Sequence, residues 1–149
     1  MREIKFRGKR VDNGEWHYGF FREFRMLDCW KEQAYRNGIN YYIDAKGTNE
    51  SHLVIPETVG QSTGLDDNDD EIDGDTEIFE GDVIEFEHEG EVVDGPVKFE
   101  AGCFIVTSDK LPDGYITLLD ISDNDGRYCW INGRIVGNIY ENPELLEVT

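Results

Sequence analysis

The sequence is short of positive charge in its second half, of cysteine, and of long apolar runs, and each shortage excludes a class of protein. Lys and Arg number 14 against 33 Asp and Glu, for a net charge of −19. The deficit is uneven. Residues 1–60 hold 10 bases and 9 acids, a balance of +1, whereas residues 61–149 hold 4 bases and 24 acids, a balance of −20. Phosphate recognition depends on neutralisation by Lys and Arg, so the second half is excluded as a direct nucleic-acid ligand. The same charge opposes docking on an anionic membrane leaflet. No run approaches 18 apolar residues, so no spanning helix is expected. The first residues, Met1-Arg2-Glu3-Ile4-Lys5-Phe6-Arg7, are basic but lack an apolar h-region, so no secretory signal is expected. Cys29, Cys103 and Cys129 are odd in number, widely spaced and without a C-x-x-C pair. They read as reduced thiols, and a cytoplasmic location is the expectation.

Catalytic signatures are missing as well. There is no G-x-S-x-G, H-E-x-x-H, Walker loop or G-x-G-x-x-G. His17, His52 and His88 have no metal-ligand spacing to one another or to the cysteines. No catalytic, cofactor or metal site is therefore expected, and the chain is read as a non-enzyme. The many carboxylates do not indicate glycosidase chemistry, which needs two at a defined separation in a cleft.

What is present is a β-forming chain. At 149 residues, 38% apolar and 12% aromatic, it is long enough for one domain or two small ones and too rich in aromatics to be disordered. Ile4 and Phe6 alternate with Lys5 and Arg7. Asp12-Asn13-Gly14 supplies a turn, predicted as type I′ on its Asn-Gly pair, and Trp16, Tyr18 and Phe20 then alternate with Glu15, His17 and Gly19. Residues Asp28 to Asn37 fit a short helix or a long loop. Tyr41–Ile43 and His52–Ile55 read as strands flanking a polar loop at Lys46–Ser51. Pro56–Gly64 is predicted as a turn-rich joint between an N-terminal β subregion, 1–60, and an acidic barrel-like subregion, 61–149, with a shared core left open.

In the second half the strand-like runs are Glu77–His88, Val92–Glu100, Cys103–Thr107, Tyr115–Leu119, Tyr128–Ile131 and Arg134–Tyr140. Turns are predicted at Glu89-Gly90, Asp94-Gly95-Pro96, Pro112-Asp113-Gly114, Asp125-Gly126 and Asn132-Gly133. Turn signals every 8–12 residues predict a β-barrel or sandwich. Asn142-Pro143-Glu144 predicts one helical turn at the C-terminal end. The fold class is thus mainly β: an N-terminal antiparallel hairpin or sheet, a partial barrel, and a short C-terminal helical turn.

Three patterns invite a functional reading. Asp69-x-Glu71-x-Asp73-Gly74-Asp75 followed by Glu80 has the acid spacing of a calcium loop, but it lacks flanking helices and carries Thr76 where an aliphatic residue belongs. It reads as a solvated acidic hairpin loop. Arg2, Lys5, Arg7, Lys9 and Arg10 beside Trp16, Tyr18, Phe20 and Phe21 suggest stacking on single-stranded nucleic acid. The alternation is expected to bury the aromatics and turn the bases outward, which disfavours it. Fifteen acids with no base lie between Asp66 and Asp94, and such a face either solvates the protein or imitates nucleic acid for a basic partner.

Four segments together resemble the YopX family of phage and prophage proteins. They are Met1–Gly8 with the aromatic arm to Gly19, Ile55–Leu65, Glu77–Ile84 and Ile135–Leu146. Between Leu65 and Glu77 the chain departs from the family, which has a shorter turn there. The resemblance implies a mostly β protein of phage or prophage origin and brings no catalytic residues with it. The expected function is a phage accessory protein acting through protein–protein contacts, with a homo-oligomer expected and with no membrane and no direct nucleic-acid partner. The alternative is a nucleic-acid-binding β module using the basic N-terminal region.

Overall fold

A computed structural model of the chain describes residues 4–25, 39–68, 76–126 and 129–146. The protein is mainly β, and among the described residues its only helical pieces are short 3-10 turns. The chain divides into two compact units, Met1–Gln61 and Ser62–Thr149.

The first unit is an antiparallel meander of β1 (Phe6–Lys9), β2 (Trp16–Arg25), β3 (Ile39–Asp44) and β4 (Ser51–Leu53). Arg7 faces Tyr18 across β1 and β2, Phe21 faces Ile43 across β2 and β3, and Ile43 faces His52 across β3 and β4. After β4 the chain returns to the free edge of β1. Val54 bridges to Arg10, and the Ile55 amide donates to the Lys9 carbonyl at 2.8 Å. A 3-10 turn at Pro56–Thr58 follows, and Gly60 and Gln61 then pair with Arg7 and Phe6. Ile43 and Val54 are fully buried. Gly8 lies against Val54, where a Cβ would meet the valine at 3.0 Å, so a larger residue there would press on the buried valine.

The turn after β1 is not type I′. Its loop spans Val11 to Gly14, with only Gly14 at positive φ, +73°. Asn13 instead uses its side chain, whose Oδ1 accepts the Glu15 amide at 2.9 Å. Type I′ geometry occurs at two other places. Glu89-Gly90 has φ of 51° and 84°, and Ala101-Gly102 has 53° and 82°.

Strand β5 (Gly60–Asp66) carries the chain into the second unit, so Gly60–Gly64, predicted as part of a turn-rich joint, is extended. Ser62 and Asp66 of β5 face Phe79 and Glu77 of β6 (Glu77–Phe79), across an irregularity that includes Gly64 at φ +76°. The predicted Glu77–His88 run is two strands, because Glu80-Gly81 turns the chain before β7 (Asp82–His88). β7, β8 (Glu91–Glu100), β9 (Cys103–Thr107) and β10 (Tyr115–Thr117) form consecutive antiparallel pairs. Asp94-Gly95-Pro96 does not turn; it lies inside β8, opposite Glu85, Ile84 and Val83. Gly95 is needed there because a Cβ would strike the Thr107 carbonyl oxygen.

A 3-10 turn at Leu118–Ile121 leads into β11 (Ser122–Asn124), which the sequence did not signal, and β11 pairs with β12 (Cys129–Ile131). β12 meets β5 in parallel at Trp130 and Asp66. β13 (Gly133–Asn138) completes the β10-β9-β8-β7-β13 sheet, and the predicted helical turn is a 3-10 turn at Pro143–Leu146. The core gathers Ile78, Ile84, Phe86, Val93, Val97, Val106, Leu118 and Ile131. No barrel closes among the described residues, in keeping with the partial barrel expected.

Candidate interaction surface

Directly opposed residues of neighbouring strands share a face of the sheet. Arg7 pairs with Tyr18 and Lys9 with Trp16, so the N-terminal bases and aromatics lie on one face. This corrects the expectation that they point to opposite sides. The same face continues through Phe20, Arg22 and Phe24 on β2, and through Tyr42 and Asp44, which oppose Arg22 and Phe20. Tyr18, Phe20 and Phe24 are not buried. They are 43%, 44% and 49% exposed, an aromatic ridge along one strand.

The cations on this face are already engaged. Arg7 as a residue is only 6% exposed, and its guanidinium carbon lies 4.3 Å from the centre of the Trp16 ring, with Lys9 Nζ at 5.5 Å from the same ring. Arg22 lies 4.5 Å from the Tyr42 ring centre. It donates from Nε to Asp44 at 2.9 Å and from a terminal nitrogen to Ser51 Oγ at 3.1 Å. The Asp44 bond raises the Arg22 pKa. The Arg22 and then the Ser51 hydrogen bonds hold the Asp44 carboxyl below the usual carboxylate range. The alternation expected from the sequence ends at Phe20, whereas the strand runs on to Arg25 and carries the face through Arg22 and Phe24.

The opposite face packs inward. Phe21 is stacked on Tyr41 and tilted against Phe6, each at 5.5 Å between centroids. His17 and His52 meet edge to face at 4.6 Å, although 35 positions apart in sequence. The Nε2 atoms of both rings are buried and find no hydrogen-bond partner among the described residues. His52 Nε2 also lies 3.6 Å from a Glu50 carboxylate oxygen. Burial, and next the neighbouring His52, push the His17 imidazole below its ordinary range, against the opposing pull of Glu50. Each histidine sits on a strand, as the sequence suggested, but their meeting had no local signal. Among the described residues no group of three or more His, Cys, Asp or Glu side chains is arranged to hold a metal ion.

In the second unit the acidic run is not one uniform surface. Asp67 and Asp82 are buried. Asp67 accepts the Thr76 amide on Oδ1 and the Ile135 amide on Oδ2, each at 3.2 Å. Asp82 accepts the Phe79 amide at 2.8 Å, closing the Glu80-Gly81 turn. Ser62 donates to Glu77. Glu87, Glu89, Glu91 and Asp94 are exposed around the β7–β8 hairpin. Asp69 to Asp75 of the calcium-like pattern lie outside the described residues, as do Cys29, Arg2 and the Asp28–Asn37 segment; Glu80 stands at the β6–β7 turn. Cys103 and Cys129 are free and exposed, and His88 ends β7 opposite Glu91. A groove lined by Glu85, Glu87, Asn132 and Arg134 contains neither cysteine.

The segments that carry the family resemblance meet one another within each unit. Thr58 accepts the Lys9 amide at 2.9 Å and donates to the Ile55 carbonyl at 2.6 Å, joining the first two. Ile139 donates its amide to the Gly81 carbonyl at 2.9 Å, joining the last two. Asn138 Oδ1 accepts the Tyr140 and Glu141 amides, and its own amide donates to Asn142 Oδ1. These residues make turns and joints of a two-unit, mainly β protein. The chain belongs to the YopX family: the family model described as YopX protein matches residues 5–147. No curated protein and no solved structure matches the chain. Among the described residues no helix is long and apolar enough to cross a membrane.

Proposed function

We propose that this YopX-family chain is an accessory protein of phage or prophage origin that acts in the cytoplasm by protein–protein contact, using the Tyr18–Phe20–Phe24 ridge. The observation that carries this reading is the exposure of three aromatic rings on one strand, beside an arginine already neutralised by Asp44. Aromatic residues and Arg are enriched at protein interfaces, where rigid rings bury large areas at low entropic cost. The residues of the family segments support contact over chemistry, since Thr58, Gly81, Asp82 and Asn138 all serve the backbone.

The nucleic-acid alternative gains from finding bases and aromatics on one face. It loses more from the state of those bases. Binding to phosphate is driven by cations that release counterions, whereas Arg7 is buried under Trp16 and Arg22 is paired with Asp44. A whole-chain charge of −19 opposes a polyanion further.

The test compares the native chain with Tyr18→Ser/Phe20→Ser/Phe24→Ser. Native protein should retain a specific protein set from a prophage-carrying bacterial lysate, and the triple variant should lose it. Neither should retain single-stranded DNA on a filter at low salt. DNA retention by the native chain that weakens with salt and disappears in the variant would overturn the reading in favour of the alternative.

A further inference from the structure

We infer that β4 is an acid-released strand: when the His17–His52 pair takes up protons, β4 and the loop before it leave the edge of β3. The two rings come from different strands. His17 stands near the start of β2, opposite Gly8 of β1, and His52 is the middle residue of β4, opposite Ile43 of β3. Both residues are half-buried, and the rings meet edge to face at 4.6 Å. Neutral rings pack well this way, the positive edge of one against the negative face of the other. Charged rings do not. An imidazolium carries an N–H on each nitrogen and needs a partner for both. Yet the two Nε2 atoms are buried with no hydrogen-bond partner among the described residues.

The charges around the rings accommodate one proton better than two. In the loop before β4, a Glu50 carboxylate oxygen lies 3.6 Å from His52 Nε2, too far for a hydrogen bond but near enough to favour an imidazolium. Asp12, after β1, also acts on His52, but it is bound to Arg10 at 2.7 Å. Asp44, at the end of β3, acts on His17, but it is bound to Arg22 at 2.9 Å. Arg10 opposes a charge on His17 and is itself drawn on by Glu15 and Glu50. A second proton therefore sets two cations in ring contact, and of the three carboxylates only that of Glu50 is not already held by an arginine.

Of the two strands, β4 is the one that yields. β2 has ten residues and pairs with β1 on one side and β3 on the other, whereas β4 has three residues at the end of the sheet. Beyond its short ladder with β3, it is held where the Leu53 carbonyl accepts the Val11 amide at 2.9 Å, and its loop closes where the Glu50 carbonyl accepts the Ala45 amide at 2.8 Å. Segments held by few bonds open well below the free energy of global unfolding. Release uncovers Ile43, fully buried opposite His52. It also withdraws Ser51, whose Oγ accepts from Arg22 at 3.1 Å, so the change reaches the face that bears the aromatic ridge. The release does not depend on whether that ridge binds a partner. Its sign follows from linkage: the opened strand carries ordinary imidazoles, near about 6.5, while the closed pair resists their protons, so the open form gains as pH falls.

Amide hydrogen exchange of the full chain at about pH 7.5 and about pH 5, corrected for intrinsic exchange rates, tests this. The open fraction reported by the Ala45 and Val11 amides should rise about tenfold or more at the lower pH, the change that one proton held only by the open form gives per pH unit. The Arg10 amide, bonded to the Glu15 carbonyl in the first hairpin, and the Ile139 amide of the second unit should keep their protection. His52→Phe keeps a ring that cannot be charged and should abolish the rise. Glu50→Gln, a change at an exposed side chain, removes the carboxylate that tolerates the first proton and should enlarge the rise; it serves if His52→Phe misfolds. A native β4 that stays protected at the lower pH overturns the inference, as does an equal rise in folded His52→Phe or a rise that Glu50→Gln does not enlarge. Loss of protection at Arg10 and Ile139 equal to that at Ala45 and Val11 is global unfolding and overturns it too.

Discussion

Gly81 and Tyr140 pack so closely that a methyl group on the glycine would lie 2.9 Å from Cε2 of the ring. Gly81 also holds φ at +95°, which L-residues rarely adopt, and its carbonyl accepts the Ile139 amide. One position thus serves the Glu80-Gly81 turn and joins it to the segment after β13.

Gly81→Ala should therefore cost more than a positive φ alone. The comparison is Gly114→Ala, where φ is +82° but no atom lies within 4 Å of the added Cβ. Gly114→Ala should destabilise by about 1–2 kcal/mol from backbone conformation. Gly81→Ala should exceed it by at least about 1 kcal/mol from the enforced shift of Tyr140. Urea denaturation of both variants checks the difference; equal losses would show that the ring moves aside freely.

Asp67 is 2% exposed and accepts amides from Thr76 and Ile135. Asp67→Ala leaves two donors without these acceptors, at about 1–3 kcal/mol each. Asp67→Asn keeps one carbonyl oxygen and should lose roughly half as much. Of the acids between Asp66 and Asp94, an exposed one such as Glu91 should change stability by less than about 0.5 kcal/mol when replaced by Gln. Denaturation midpoints that fail to separate Asp67→Ala from Glu91→Gln would contradict this division of the acidic run.

The His17–His52 contact gives a pH dependence with a fixed sign. His17 has a folded-state pKa below its unfolded value, so over that interval the unfolded chain binds more protons. The contribution is fully present above the unfolded value, about 6.5, and is lost as pH falls through the folded one. Around the rings, Glu50 favours the charged form of His17 and Arg10 opposes it; Asp12 and Asp44 also interact with His52 and His17, respectively. His17→Gln removes this proton linkage. The native chain should lose more stability than the variant between about pH 7.5 and about pH 5, and parallel curves would exclude the ring pair as a source.

Much of the second unit was legible because its hairpins obey local rules. Cys103–Thr107 was predicted to the residue, and Glu89-Gly90 turns as its glycine suggests. Asp94-Gly95-Pro96 failed because the glycine answers to a distant carbonyl on Thr107, which no local rule contains. The ridge failed for a different reason. A two-residue loop and the observed four-residue loop differ by an even number, so both place Arg7 and Lys9 on the face of Trp16 and Tyr18. That relation was available in the sequence, and the assumption that aromatics go inside overrode it. Phe6, Phe21 and Tyr41, half-buried, pack together on the other face instead.

Strand β5 has a consequence for how such a chain can be rearranged. Its first two residues pair with β1, and the residues from Ser62 onward pair with β6 and β12. The boundary between the two units, at Gln61 and Ser62, falls inside that strand. Recombination that joined one half to a foreign partner there would splice through a hydrogen-bonded ladder, and the new residues would have to preserve its register and alternation. A fusion or truncation point is therefore better placed outside Gly60–Asp66 than at the boundary itself.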